Sequence, residues 1–337
     1  MPRSSTSLSS PSSALPPPLG EIEVKLSRPS RIYRPGESIE GKIITNSSSA
    51  ISYHKILVTA TGTVNLQVRG GVTGVIESLY SVVKPISILK RSIDVTAPAG
   101  RLGPGKTEVP FSFVLSSEDI DNRGRIYETF HGGNISIQYL ITADITRGYL
   151  HKSLSATVEF IVENDNASLL VSSASPELVT FYITQDTQKH QLLPELQIGH
   201  FCVTGKISTQ CSLADPLSGE LTVETSAVPI KSIDIQLLRV ESILAGERII
   251  SDASVVQTTQ IADGDVCRSM TLPIFVLLPR LLVCPTVLAG SFSVEFQVSI
   301  VISFQSELAK LYPKSDLRTP RPWLAMVTLP LRLYRAR

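Results

Sequence analysis

One pattern occurs twice in this chain, and a duplication kept in order constrains the fold more than any single residue does. Residues 36–45 read G-E-S-I-E-G-K-I-I-T and residues 215–225 read D-P-L-S-G-E-L-T-V-E-T, each setting a glycine, Gly41 or Gly219, inside an alternating strand. Downstream, Lys55-Ile56-Leu57-Val58 is echoed by Ser232-Ile233-Asp234-Ile235. Pro110-Phe111-Ser112-Phe113-Val114-Leu115 is echoed by Pro273-Ile274-Phe275-Val276-Leu277-Leu278, and residues 135–141 by residues 292–298. The offset shortens from about 178 to about 157 residues as loops contract. A unit of about 150 residues is too long for a solenoid repeat and fits two similar domains in tandem. Such a pair points to an interaction scaffold rather than to one catalytic cleft.

Alternation of apolar and polar residues dominates both copies. It is clear at 22–26, 39–45, 55–61, 135–145, 156–162, 219–225, 231–241 and 292–302. Turn formers separate these runs: Arg34-Pro35-Gly36, Gly70-Gly71, Gly103-Pro104-Gly105 and His131-Gly132-Gly133. Many short strands between Gly, Pro and Asn turns predict an all-β chain of antiparallel sandwiches. No window shows a convincing helical stripe, although 78–90 and 305–312 have room for a helical turn or two. The expected division is a Ser/Pro-rich disordered extension over 1–19, a first sandwich over 20–163, a small-residue linker over 164–176, and a second sandwich over 177–337. Residues 305–322 read as a long loop before a last strand from Val327 to Leu333.

Several function classes fall away on composition. With 31 basic against 30 acidic residues, the chain lacks the overall positive charge that nucleic-acid binding draws on, so no nucleic acid is expected. The N-terminus has no apolar h-region and is not a secretory signal. The greasiest stretch, Leu272 to Leu288, holds Pro273, Pro279, Pro285 and Arg280, which exclude a membrane helix; a buried strand followed by a loop is expected there. Cys202, Cys211, Cys267 and Cys284 form no C-x-x-C pair, so isolated buried thiols are expected rather than a zinc site.

Residues 100–107 match the phosphate-binding pattern G-x-x-x-x-G-K-[ST], but that chemistry needs a helix starting at the lysine. Pro110 and the alternation after Thr107 predict a strand instead, so the match reads as a glycine-rich hairpin loop. His54, His131, His151, His190 and His200 are scattered, and no nucleophile has a paired base; His131 is expected on a loop. The sequons at Asn46, Asn134 and Asn166 read as chance matches without a signal peptide. No catalytic residue, cofactor or metal is expected. The segment Gln260-Ile261-Ala262-Asp263-Gly264-Asp265-Val266-Cys267-Arg268 stands out: Asp-Gly is a turn signal, and a turn-flanked strand at a sheet edge can serve a partner.

Two tandem sandwiches carrying P-G-x-x-I-x-G-x-I resemble the arrestin fold. More narrowly, the chain resembles the arrestin-like subunits of retromer and retriever. The matching stretches are Gly62 to Gln67, Val83 to Ile86, Gly105 to Phe111, Tyr127-Glu128-Thr129-Phe130-His131-Gly132, Pro216 to Leu221 and Leu237-Leu238-Arg239-Val240-Glu241. Ile261 to Arg268, continued by Pro279-Arg280-Leu281 and Cys284-Pro285-Thr286, resembles the retriever branch. The resemblance implies a non-enzymatic adaptor on the cytosolic face of endosomes, in a heterotrimer with a helical-solenoid scaffold subunit and a metallophosphoesterase-like subunit. It implies work with a sorting nexin and the CCC assembly, indirect membrane association, and endosome-to-surface recycling of membrane cargo. It makes Ile261, Ala262, Asp263, Gly264, Val266 and Arg268 partner-binding candidates, with a contact at Ala262 weaker than where the paralogue has a larger apolar residue. The competing expectations are an arrestin-fold adaptor that binds receptor tails directly, a nucleotidase on 100–107, and a glycosylated adhesion module.

Overall fold

A computed structural model of the chain describes residues 21–67, 84–96, 99–116, 126–148, 152–164, 178–189, 199–305 and 323–336. The first half contains β1 (Glu21–Leu26), β2 (Ile32–Tyr33), β3 (Ser38–Ser47), β4 (Ile51–Tyr53), β5 (Lys55–Leu66), β6 (Ile86–Thr96), β7 (Gly100–Leu102), β8 (Gly105–Val114), β9 (Phe130–His131), β10 (Ile135–Thr146) and β11 (Leu154–Val162). The second contains β12 (Leu178–Thr184), β13 (Phe201–Ser208), β14 (Gln210–Ser212), β15 (Leu217–Ser226), β16 (Ile230–Ala245), β17 (Arg248–Asp263), β18 (Thr271–Val276), β19 (Val287–Leu288), β20 (Phe292–Phe304) and β21 (Leu324–Tyr334).

The alternation in sequence becomes alternation in burial, because successive strand residues point to opposite faces. In β10, Ile135, Ile137, Tyr139, Ile141, Ala143 and Ile145 are all buried. Each half is two sheets enclosing such residues. The larger sheets run β2-β11-β10-β5-β6 and β14-β21-β20-β16-β17, and the smaller run β1-β3-β8 and β12-β13-β15-β18. The duplication extends to detail: the outermost strand pairs in parallel in both large sheets, β2 with β11 and β14 with β21. The short β9 and β19 both pair off the main path, on β10 and β20.

Register is copied too. Gly41 lies opposite Phe111 and Lys42 opposite Pro110, while Gly219 lies opposite Ile274 and Glu220 opposite Pro273. The two glycines are there for close approach. A Cβ on Gly41 would lie 2.6 Å from Phe111 Cζ and 2.8 Å from the Lys25 carbonyl oxygen. On Gly219 it would lie 2.5 Å from the Lys206 carbonyl oxygen and 3.0 Å from Ile207 Cα. Backbone cannot retreat as a flexible side chain can, so Gly219→Val is expected to destabilise by about 3 kcal/mol. Thermal denaturation checks this; an unchanged melting temperature contradicts it.

Four expectations are corrected. Residues 86–90 are strand, not a helical turn, because β6 pairs along its length with β5. The stretch from Leu272 is a half-buried strand: among the described residues β18 is the edge of its sheet, and only Ile274 and Val276 are buried while Phe275 faces solvent. The glycine-rich stretch at 100–107 is not a hairpin, since β7 pairs with β4 and β8 with β3. His131 belongs to β9 rather than to a loop. The 1–19 extension, most of the 164–176 segment and most of the 305–322 segment lie outside the described residues.

Candidate partner-binding site

The candidate residues sit where β17 ends. β17 pairs with β16 and, among the described residues, has no neighbour on its other side in the sheet order, as expected for an edge. Its ladder is interrupted twice. Ala262 lies opposite Ile233 and Gln260 opposite Asp234, which leaves Ile261 as an extra, unmatched residue. Val256 is left over in the same way between Gln257 and Val255. A bulge of this kind turns the strand and re-aims a side chain. Ile261, Ala262 and Val266 are half-buried, packed against the apolar core with part of their surface outside.

The following loop is held by its own polar residues. Gly264 has φ of +83°, a conformation that favours glycine, and its N–H donates to the Lys231 carbonyl at 2.7 Å. The Asp265 carboxylate accepts from the Ile230 N–H at 3.0 Å and from the Arg268 guanidinium at 2.9 Å. Burial pushes the Asp265 carboxyl up, but the Ile230 N–H and Arg268 outweigh it, and the group is held below its usual range. Arg268 also donates to the carbonyls of Val266 and Ser226. The structure therefore gives Arg268 a loop-shaping role, while exposed Asp263 and half-buried Ile261 and Ala262 present the surface.

Cys267 is exposed on this loop, contrary to the expectation of a buried thiol. Burial pushes the Cys211 thiol up to about 11 and raises that of Cys284 as well. Because the thiolate is the reactive form, brief alkylation of the native protein is expected to modify Cys267 and spare Cys211 and Cys284. Peptide mass spectrometry reads this directly, and equal labelling of Cys284 contradicts the packing.

A second constellation was not anticipated from sequence. The Glu241 carboxylate on β16 accepts from the backbone N–H groups of Gly133, Asn134 and Ile135, at 2.9, 2.7 and 2.7 Å, across more than a hundred residues. Arg239 is 2.8 Å from the same carboxylate and lies over the Phe130 ring at 5.4 Å. Arg335, beyond β21, makes a two-pronged contact with Glu128 at 2.8 Å and pairs with Glu163 at 3.4 Å. Tyr127 meets Phe292 edge-on at 5.5 Å. The two halves are thus joined by a buried polar seam with aromatic flanks. Two stretches singled out above, Tyr127 to Gly132 and Leu237 to Glu241, face each other in it. A signal was available: Arg239 and Glu241 occupy inward positions of β16, in step with Ile233, Ile235, Leu237 and Ile243.

The remaining motifs resolve into ordinary structure. At 100–107, Lys106 pairs with Glu108 at 2.9 Å and strand follows directly. With Lys42 also bonded to it, Glu108 is held down to about 2. No helix N-terminus is present there to receive a phosphate. Purified protein is accordingly expected to give no heat of ATP binding in calorimetry, with Lys106→Ala unchanged in melting temperature. Asn134 is buried, and its side-chain amide donates to Asp252 at 3.2 Å, which leaves no room for a glycan; Asn46 is exposed and Asn166 lies outside the described residues. His131 sits between Ser136 at 3.1 Å and Glu159 at 3.0 Å. That trio lies on an exposed strand face, and the nearby amides are occupied by Glu241. Among the described residues no cluster of His, Cys, Asp and Glu could hold a metal, and no helix is long and apolar enough to cross a membrane.

Residues 22–307 match the family model of vacuolar protein sorting-associated protein 26. The chain belongs to that family. It is 34% identical over 288 residues to vacuolar protein sorting-associated protein 26C of Dictyostelium discoideum, an alignment covering 84% of this chain and 94% of that protein. Membership makes the chain an arrestin-like, non-enzymatic protein of the sorting machinery. The expected fold class and the expected absence of enzymatic activity both agree with this assignment.

Proposed function

We propose that this chain is the arrestin-like subunit of a retriever-type heterotrimer that returns membrane cargo from endosomes to the cell surface. The observation that carries the reading is the end of β17: a bulged, half-buried Ile261 beside Ala262, closed by the Asp263-Gly264 turn. It lies within the run that resembles the retriever branch, and the relative at 34% identity bears the C designation. In this reading Ile261, Ala262, Asp263, Gly264 and Val266 meet the helical-solenoid scaffold, and Arg268 fixes the loop that presents them. The metallophosphoesterase-like subunit, the sorting nexin and the CCC assembly join through the complex, on the cytosolic face of endosomes. The buried seam supports the adaptor role by joining the two sandwiches that the scaffold would meet. The segment 164–176 is the proposed boundary between the sandwiches, and 1–19 a tail outside both.

Depletion of the chain tests this in cells. Internalised recycling receptors are expected to lose surface return and accumulate in endosomes, with rescue by wild-type chain and none by Ile261→Asp/Ala262→Asn. Normal surface return after depletion overturns the proposal.

A further inference from the structure

The end of β18 and the segment that follows it expose large apolar side chains. Phe275 is 60% exposed and Leu277 66%, and in the turn that follows Leu281 is 97% and Leu282 45% exposed. The turn is ordered by its own backbone, with the Leu282 N–H donating to the Pro279 carbonyl at 2.9 Å. The first half supplies an internal control. Its equivalent, β8 with Leu115 just past its end, has the same inward pattern of Phe111, Phe113 and Leu115; the position matching Phe275 is Ser112, while Val114, which matches Leu277, is 45% exposed. The same architecture therefore stands with a serine where the second half exposes a phenylalanine. An ordered group of exposed large apolar side chains of this kind marks a contact surface.

We propose that Phe275, Leu277, Leu281 and Leu282 form a docking surface for an acidic amphipathic helix of a partner protein, separate from the Ile261 site. Strand addition is the first occupant to exclude. β18 is an edge, but Pro273 in its middle has no N–H and Pro279 follows its end, so the edge is a poor template for another strand. Contact through side chains remains. Phe275 near the end of β18 and Leu277 just past it are two residues apart, roughly 7 Å at strand spacing, close to the roughly 6 Å between helix residues four apart. A helix can set its apolar stripe across them and against Leu281. The charge of the occupant follows from Arg280, which is exposed between the leucines and makes no ion pair among the described residues. A carboxylate flanking the helix stripe gives it a partner.

Photo-crosslinking in cells tests the proposal with the full chain in its assembly. Leu281 is replaced by the photoreactive residue p-benzoylphenylalanine, and adducts are mapped by mass spectrometry. The expected adduct is a partner segment with leucine-type residues at helical spacing and an acidic flank. Arg280→Glu is expected to lower the yield at least about tenfold, and reversing the mapped acidic residue to lysine to restore it. Phe275→Ser, the residue the first half uses, is expected to lower the yield with the melting temperature unchanged. The adduct is expected to persist in the Ile261→Asp/Ala262→Asn background. No adduct, an adduct to lipid, or one to an extended segment overturns the proposal. So does a fall in melting temperature with Phe275→Ser, which makes Phe275 structural. Loss of the adduct together with the scaffold gives the surface to the scaffold interface and equally overturns a separate site.

Discussion

Replacing Glu241 with alanine is expected to destabilise the protein by about 3–5 kcal/mol, the cost of breaking a buried pair while its partner stays behind. Glu241 is 3% exposed and gathers the N–H groups of Gly133, Asn134 and Ile135 together with Arg239. The alanine variant strands three donors and one guanidinium in a buried site. At about 2–4 °C per kcal/mol for a chain of this size, the melting temperature is expected to fall by about 10 °C. Glu241→Gln keeps an acceptor but loses the charge, and should fall between wild type and alanine. Because the lost contacts bridge the halves, the variant's small-angle scattering is expected to show a larger radius of gyration. A stability within 1 kcal/mol of wild type, roughly the value of an exposed pair, contradicts a buried seam.

The second large effect concerns binding. The double variant Ile261→Asp/Ala262→Asn is expected to abolish scaffold association. Ile261 is already half-buried in the free chain, so its remaining apolar surface contributes about 1 kcal/mol on docking rather than the 1.5–3 kcal/mol of full burial. The greater share comes from the aspartate, whose charge would be buried without a partner at a cost of several kcal/mol. Together these weaken binding by a factor of a thousand or more. Because Ile261 stands at a bulge, outside the regular ladder, the fold is expected to survive with a melting temperature within a few degrees of wild type. A folded double variant that binds the scaffold normally places the interface elsewhere.

Much of the fold was legible because β-structure writes its period into the sequence. The alternation at 135–145 and 292–302 became β10 and β20, and Gly41 and Gly219 marked real close approaches. The proposed partner site was legible in part. The Asp263-Gly264 turn and the edge position of β17 carry local signals, whereas the bulge at Ile261 arises from register with β16 and has none. The seam was missed because its partners lie far apart: Glu128 and Arg335 are 207 residues from each other. Charged residues in step with isoleucines on β16 were the trace it left. Burial of the strand that starts at Leu272 was overestimated because hydropathy does not say that a strand is an edge. Cys267 was misplaced for a related reason, since a cysteine's exposure depends on the loop that carries it.

Affinity purification of the tagged chain from its own cells, with mass spectrometry of what accompanies it, tests the adaptor account most directly. The account predicts that wild type recovers a helical-solenoid scaffold and a metallophosphoesterase-like subunit in stoichiometric amounts, and that Ile261→Asp/Ala262→Asn recovers neither. Wild-type protein that is folded yet recovers no such scaffold contradicts it.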